Sequence, residues 1–198
     1  VLTPGESGLA ARLFTPIAGL TATPLRLEAE GTLVNRPMAV YESLFEAYGG
    51  KLITHNGAFP VSIGAPLVGG SAALEAPISS QYITGLLFAL PNLGRTSELQ
   101  VTHPTSTPYL DMTLEVLEDF GISITANNAF THFQVDGDQQ FKPIETVVDG
   151  DWSGAAALAV AGMLCAEGSI AIHGLQNQYT QADEAIRGAL LFAGGALS

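Results

Sequence analysis

At 198 residues the chain is long enough for one large domain or two smaller ones, and with 47% apolar residues it can bury a substantial core. Its formal charge of −12 argues against nucleic acid or an anionic membrane surface as a partner. It leaves seven cations, Arg12, Arg26, Arg36, Arg95, Arg187, Lys51 and Lys142, to meet any anionic small molecule. No apolar stretch reaches membrane-spanning length, and the single Cys165 gives neither an internal disulfide framework nor a zinc pattern. The opening residues carry Glu6 and Arg12 rather than a basic start and an apolar middle, so no signal peptide is read and a cytoplasmic setting is expected.

The first element in chain order is an apolar segment from Ser7-Gly8-Leu9 to Leu20, a buried helix with Ser7 as its N-cap. Arg12 lies in it among Leu9, Ala10, Ala11, Leu13 and Phe14, and a guanidinium in such surroundings needs a partner. An ion pair with Glu6 and a contact with a bound anion both satisfy that need. A β-like stretch, Leu25-Arg26-Leu27, leads to the polar loop Thr32-Leu33-Val34-Asn35-Arg36-Pro37. An amphipathic helix follows, with Val40, Leu44, Phe45 and Tyr48 on one face and Glu42 and Glu46 on the other. Gly50 suits its C-cap, and Asn56-Gly57 signals a hairpin.

The second set begins at Ile78-Ser79-Ser80-Gln81, ahead of the apolar run from Tyr82 to Leu90. Two hydroxyls and an amide stand where a buried helix starts, and its unpaired N–H groups and dipole end attract an anion. Serine there is more commonly a plain cap. The strand Leu99-Gln100-Val101 and the loop Thr102-His103-Pro104-Thr105-Ser106-Thr107-Pro108-Tyr109 come next. Leu110, Leu114, Leu117 and Phe120 then share a helical face opposite Asp111, Glu115 and Glu118, before Gly121 and an Asn127-Asn128 turn. A third set runs from Ser153-Gly154-Ala155 to Cys165, which reads as a core thiol. It continues through Ile170-Ala171-Ile172 and the loop Gln176-Asn177-Gln178-Tyr179-Thr180-Gln181 to a helix ending near Gly195.

Three sets in one order, with glycines roughly 70 to 75 residues apart, make a repeat of βαβαββ units within an α/β (α+β) fold. One unit cannot bury two helices and a sheet alone, so the apolar helices are expected inside a packing of several units. Pro37 and Pro108 suit first helical turns, which holds Arg36, Ser106 and Tyr109 beside helix N-termini. If pseudosymmetry brings these loops to the caps at Ser7 and Ser79, arginines, hydroxyls and backbone N–H groups gather into an anion site. Arg36 taken alone is more commonly a solvated surface residue.

Five segments together carry a family resemblance: Gly5-Glu6-Ser7-Gly8-Leu9-Ala10-Ala11-Arg12, Asn35-Arg36-Pro37, Ser79-Ser80-Gln81, Ser106-Thr107-Pro108-Tyr109-Leu110-Asp111 and Asp149-Gly150-Asp151-Trp152-Ser153. In order and spacing the chain resembles the enolpyruvyl transferases, and within them the branch that acts on shikimate 3-phosphate. Ser-Ser-Gln with the later Ser-x-Pro-Tyr favours that branch over the one acting on UDP-N-acetylglucosamine, whose mobile loop carries a reactive Cys.

The resemblance implies an inside-out barrel of six βαβαββ units in two domains, represented here incompletely. Residues 1–145 would give two units of the shikimate-3-phosphate-binding domain, and 146–198 would begin the second domain. The implied activity is that of a transferase of the shikimate pathway of aromatic amino-acid (chorismate) biosynthesis, the glyphosate target. It moves the enolpyruvyl group of phosphoenolpyruvate to shikimate 3-phosphate. By matching position, Ser79, Ser80 and Ser106 would hold the shikimate phosphate, and Tyr109 would contact the same substrate. Gln81 would lie at the ring and near phosphoenolpyruvate. Arg36 would bind the phosphoenolpyruvate anion, Gly8 would keep the loop clear for it, and Arg12 belongs to the same loop.

The resemblance implies no cofactor, no metal, no nucleic acid and no membrane, and a monomeric whole protein. Glu6 and Thr107 depart from the family, where Asn and Lys are frequent, and Glu6 is expected to pair with Arg12. The chain corresponds to the family from inside its second unit to inside its fourth, so no catalytic residue is expected in it. It is expected to be inactive alone and to expose apolar surface through which it can self-associate. Enolpyruvyl transfer to another acceptor and a non-catalytic anion-binding role on the same fold are the alternatives.

Overall fold

The computed structural model describes residues 1–75, 79–175 and 179–196. Ile78 of the second helix start and Gln176-Asn177-Gln178 of the third loop lie outside the described residues. The chain divides into two compact units, Val1–Pro143 and Ile144–Ser198.

The first unit holds two βαβαββ patterns. In the second of them β4 (Ser71–Glu75) leads through α3 (Gln81–Ala89) to β5 (Ser97–Thr102), and β4 pairs parallel with β5. Helix α4 (Thr107–Asp119) then leads to β6 (Ile124–Ala126) and β7 (His132–Val135), giving a sheet of order β4-β5-β7-β6. The first pattern has the same plan. Helix α1 (Gly8–Ala18) runs to β1 (Leu25–Leu27), a 3-10 turn Gly31–Asn35 and α2 (Val40–Ala47), and then to β2 (Lys51–His55) and β3 (Ala58–Ala65). Its sheet has the order β1-β3-β2, and a parallel bridge from Leu2 to Leu27 stands where β4 meets β5 in the other. Both sheets are open.

The apolar helices α1 and α3 pack against each other. Tyr82, Ile83, Gly85, Leu86, Leu87 and Ala89 of α3 are all buried, as befits a helix without a polar face. Each such aliphatic side chain contributes about 1.5–3 kcal/mol by leaving water. On α2, Leu44, Phe45 and Tyr48 are buried as expected, and so is Tyr41, while Val40 is half-buried. On α4, Leu110 and Leu117 reach the core and Leu114 packs against it, while Phe120 is half-buried. The Tyr48 hydroxyl donates to the Glu98 carbonyl at 2.9 Å, joining α2 to β5 across the two patterns. The Asn56-Gly57 hairpin forms with both residues left-handed (φ 52° and 79°).

Several local expectations shift. The left-handed residue after α2 is Gly49 (φ 77°), not Gly50, whereas Gly121 (φ 80°) follows α4 as expected. Pro108 sits in the first turn of α4, but Pro37 lies two residues ahead of the α2 N-cap Ala39, following Arg36 in extended conformation at the end of the 3-10 turn.

In the second unit, α5 (Trp152–Cys165) is capped by Asp151, whose carboxylate accepts from the Ser153 and Gly154 amides, so Ser153 is not the cap. The Ser153 hydroxyl instead donates to Asp183 at 2.6 Å. A 3-10 turn Ala182–Ala185 precedes α6 (Ile186–Phe192), which ends with Gly194 left-handed (φ 90°) rather than Gly195. Residues 170–172 form no strand, since no described segment supplies a ladder partner. Nor is α5 buried: only Trp152 and Ala155 are, and Leu158 and Leu164 are 60% and 76% exposed. Cys165 is exposed rather than a core thiol. An apolar helix with no preferred face needs cover on every side, and a unit this small supplies it on one.

Candidate functional site

The site is built where α1 crosses α3. Gly85 permits the crossing: a Cβ there would lie 2.5 Å from the Arg12 carbonyl oxygen. The Arg12 guanidinium then reaches the start of α3, where Nη1 donates to Gln81 Oε1 at 2.7 Å and the group sits 5.0 Å from the Tyr82 ring centre. The expected pairing with Glu6 does not form. Among the described residues the ion pairs are Arg26–Glu28 and Arg187–Glu184, and the Glu6 carboxylate lies against Gly31. Among the described residues Arg12 is met by a neutral amide and a ring face, and no carboxylate pairs with it. Its Nε is buried without a hydrogen-bond partner. Such a group favours an incoming anion.

Two buried tyrosines fix this arrangement. Tyr41 donates its hydroxyl to the Arg12 carbonyl at 2.7 Å, and Tyr82 donates to the Pro37 carbonyl at 2.6 Å. Burial pushes the Tyr41 phenol well above its ordinary range, neighbouring Tyr82 adds to this and Arg12 opposes it, so the phenol stays a donor. Through Pro37 the Arg36 loop is held to the helix that carries Gln81. Arg36 itself is exposed and makes no ion pair among the described residues. Gly8 lies beside Arg12: a Cβ there would sit 3.4 Å from Nη1 and 4.0 Å from Leu33 Cδ1.

At the start of α3, Ser79 Oγ accepts from the Gln81 amide at 3.3 Å. Ser80 holds the N-cap position with 6% exposure, yet its hydroxyl does not cap the helix. Ser106 holds the same position on α4 in a left-handed conformation (φ 54°, ψ 45°), uncommon for serine, again without capping through its side chain. Tyr109, 37% exposed, stands in the first turn after it. The Thr113 hydroxyl donates to the Tyr109 carbonyl at 2.7 Å and shares a 3.0 Å hydrogen bond with Thr84 of α3, which sets α4 beside α3.

Hydrogen bonds and contacts therefore join Gly8, Arg12, Gln81 and the Arg36 loop directly, and tie Ser106 and Tyr109 to α3 through Thr113. A depression of about 690 Å³ lies elsewhere, along the end of β5, with His103 and His132 among its lining residues. No group of three or more His, Cys, Asp or Glu among the described residues could hold a metal ion. Sequence reasoning missed Tyr41 and Tyr82. The available signal was a tyrosine opening an otherwise apolar helix, where the hydroxyl must find an acceptor.

The same arrangement of helices and sheets occurs in solved structures of EPSP synthase from Acinetobacter baumannii. One matches with a TM-score of 0.67 at 22% identity, over 82% of this chain and 36% of that one. Another gives 0.68 at 22% identity, over 81% and 36%. The fold is therefore the mixed α/β architecture of that class. The family model of EPSP synthase (3-phosphoshikimate 1-carboxyvinyltransferase) matches residues 1–196, and the chain belongs to this family. The 3-phosphoshikimate 1-carboxyvinyltransferase of Clostridium kluyveri is 32% identical over 182 residues, 91% of this chain and 42% of that protein. Its counterpart in Clostridium beijerinckii is 35% identical over 182 residues, 91% of this chain and 41% of that protein. The chain thus spans less than half the length of these relatives.

Proposed function

We propose that this chain carries part of the substrate-binding apparatus of a transferase that moves the enolpyruvyl group of phosphoenolpyruvate to shikimate 3-phosphate. The observation that carries the reading is the Arg12 guanidinium, held by Gln81 and Tyr82 with no ion pair among the described residues, beside the Arg36 loop. Ser79, Ser80 and Ser106 supply hydroxyl donors for the shikimate phosphate, and Tyr109 contacts the same substrate. Gln81 lies at the ring and near phosphoenolpyruvate, and Arg36 and Arg12 bind the phosphoenolpyruvate anion. Gly8 keeps space open next to Arg12. Family membership favours shikimate 3-phosphate over another acceptor.

Residues 1–145 supply two units of the shikimate-3-phosphate-binding domain, and 146–198 begin the second domain. Addition and elimination at phosphoenolpyruvate need proton donors and acceptors on both faces of the reacting carbons. The candidate residues include no carboxylate, imidazole or amine, so this chain binds substrate and does not turn it over alone. The setting is cytoplasmic. The bare sides of α5 give self-association that rises with concentration, which sedimentation measures. Calorimetric titration with shikimate 3-phosphate tests the reading: weak binding abolished by Ser80→Ala supports it, and binding unaffected by that change contradicts it.

A further inference from the structure

We propose that Tyr82 is a positioning residue that couples the Arg36 loop to the Ser79-Ser80-Gln81 turn, so that capture of one anion sets the geometry for the second. The inference deepens the functional reading above and rests on its assignment of Arg36 to phosphoenolpyruvate. Tyr82 is 2% exposed and engaged on three sides. Its ring carries the Arg12 guanidinium at 5.0 Å and meets the Tyr41 ring at 5.2 Å, and its hydroxyl donates to the Pro37 carbonyl at 2.6 Å. Pro37 has no N–H, so its carbonyl is the one backbone group by which the residue after Arg36 can be held. The neighbouring amides are fixed locally: Arg36 donates to Leu33, and Met38 and Ala39 both donate to Gly57. Tyr82 supplies the hold from the other βαβαββ pattern, one residue after Gln81.

The chain's own repeat separates this role from core filling. Counted from the N-caps Ser7 and Ser80, the position of Tyr82 in α3 corresponds to Leu9 in α1. Leu9 is 51% exposed, so the repeat does not require a buried aromatic there. Phenylalanine would keep the ring beneath Arg12 and against Tyr41, and the hydroxyl alone serves Pro37.

The test is Tyr82→Phe in the full chain, read in two ways. Without ligand, hydrogen exchange at the Arg36, Met38 and Ala39 amides should quicken about three- to tenfold, while the Thr84 and Val101 amides keep their rates. Unchanged exchange at the loop, or one common factor at every amide, overturns the proposal. With ligand, the variant should weaken phosphoenolpyruvate binding measured at saturating shikimate 3-phosphate by a similar factor. The loss should vanish in an Arg36→Gln background, and additive losses overturn the coupling. A wild-type chain that binds neither ligand contradicts the functional reading, and the exchange rates then decide the role of Tyr82 on their own.

Discussion

The carbonyl oxygen of Arg12 and the Cα of Gly85 meet at the crossing of α1 and α3, with no room between them for a methyl group. That contact sets how far the guanidinium can reach along α3, and so places it on Gln81 rather than one turn away. Gly85→Ala must part the helices or bend them. The expected cost is about 1–3 kcal/mol of stability in urea denaturation. Gly8→Ala, whose added carbon would lie 3.4 Å from Arg12 Nη1, is expected to change stability far less. Equal effects of the two substitutions would contradict this account of the crossing.

Gln81→Leu removes the acceptor at 2.7 Å and leaves Arg12 with the Tyr82 ring alone. A cost of about 1–3 kcal/mol is expected. Added inorganic phosphate should raise the melting temperature of this variant more than that of the wild type, because the anion supplies the missing partner. Thermal melts over a phosphate series at constant ionic strength make the comparison.

Glu42 holds Thr54 from across the first pattern, accepting from its amide at 2.7 Å and its hydroxyl at 2.6 Å. These hydrogen bonds, the hydroxyl foremost, lower its carboxyl below the ordinary value of 4.5. A depressed native value means that the stabilisation is present above pH 4.5 and is lost as pH falls through the lower native value. Glu42→Gln should therefore flatten the acid side of the melting-temperature profile and leave its shape near neutrality unchanged.

Tyr48 acts at the opposite end of the scale. Burial raises its phenol well above the ordinary value of 10.0, so the folded state holds the proton more tightly than the unfolded chain. Its contribution is complete below pH 10.0 and declines as pH rises toward the native value. Tyr48→Phe should cost about 1 kcal/mol near neutrality through the lost hydrogen bond to Glu98, and should weaken the alkaline loss of stability. Denaturant titrations at neutral and alkaline pH read both effects.

The sequence carried the repeat because its signals are local: a cap before each apolar run, a 3.6-residue period in α2 and α4, and Asn56-Gly57 between β2 and β3. It did not carry the partner of Arg12. Glu6 is close in sequence, but Gln81 is brought there by the helix crossing, which depends on Gly85 far along the chain. C-caps slipped by one residue at Gly49 and Gly194 because adjacent glycines suit the left-handed position equally well. The exposure of Cys165 and the missing strand at 170–172 have a common physical cause. An apolar pattern states what a segment can bury, and the neighbours that cover it are a tertiary matter. Ser106 could be named from its motif, whereas its left-handed backbone could not.

The proposed function makes the start of α3, with the Arg36 and Ser106 loops, one anion site for shikimate 3-phosphate. An amide-resolved NMR titration of the full chain with shikimate 3-phosphate tests it most directly. Saturable shifts are expected at Ser79 to Thr84, Arg36 and Ser106 to Tyr109, all lost in Ser80→Ala. Shifts confined to the depression around His103 and His132, or no shifts at saturating ligand, would contradict it.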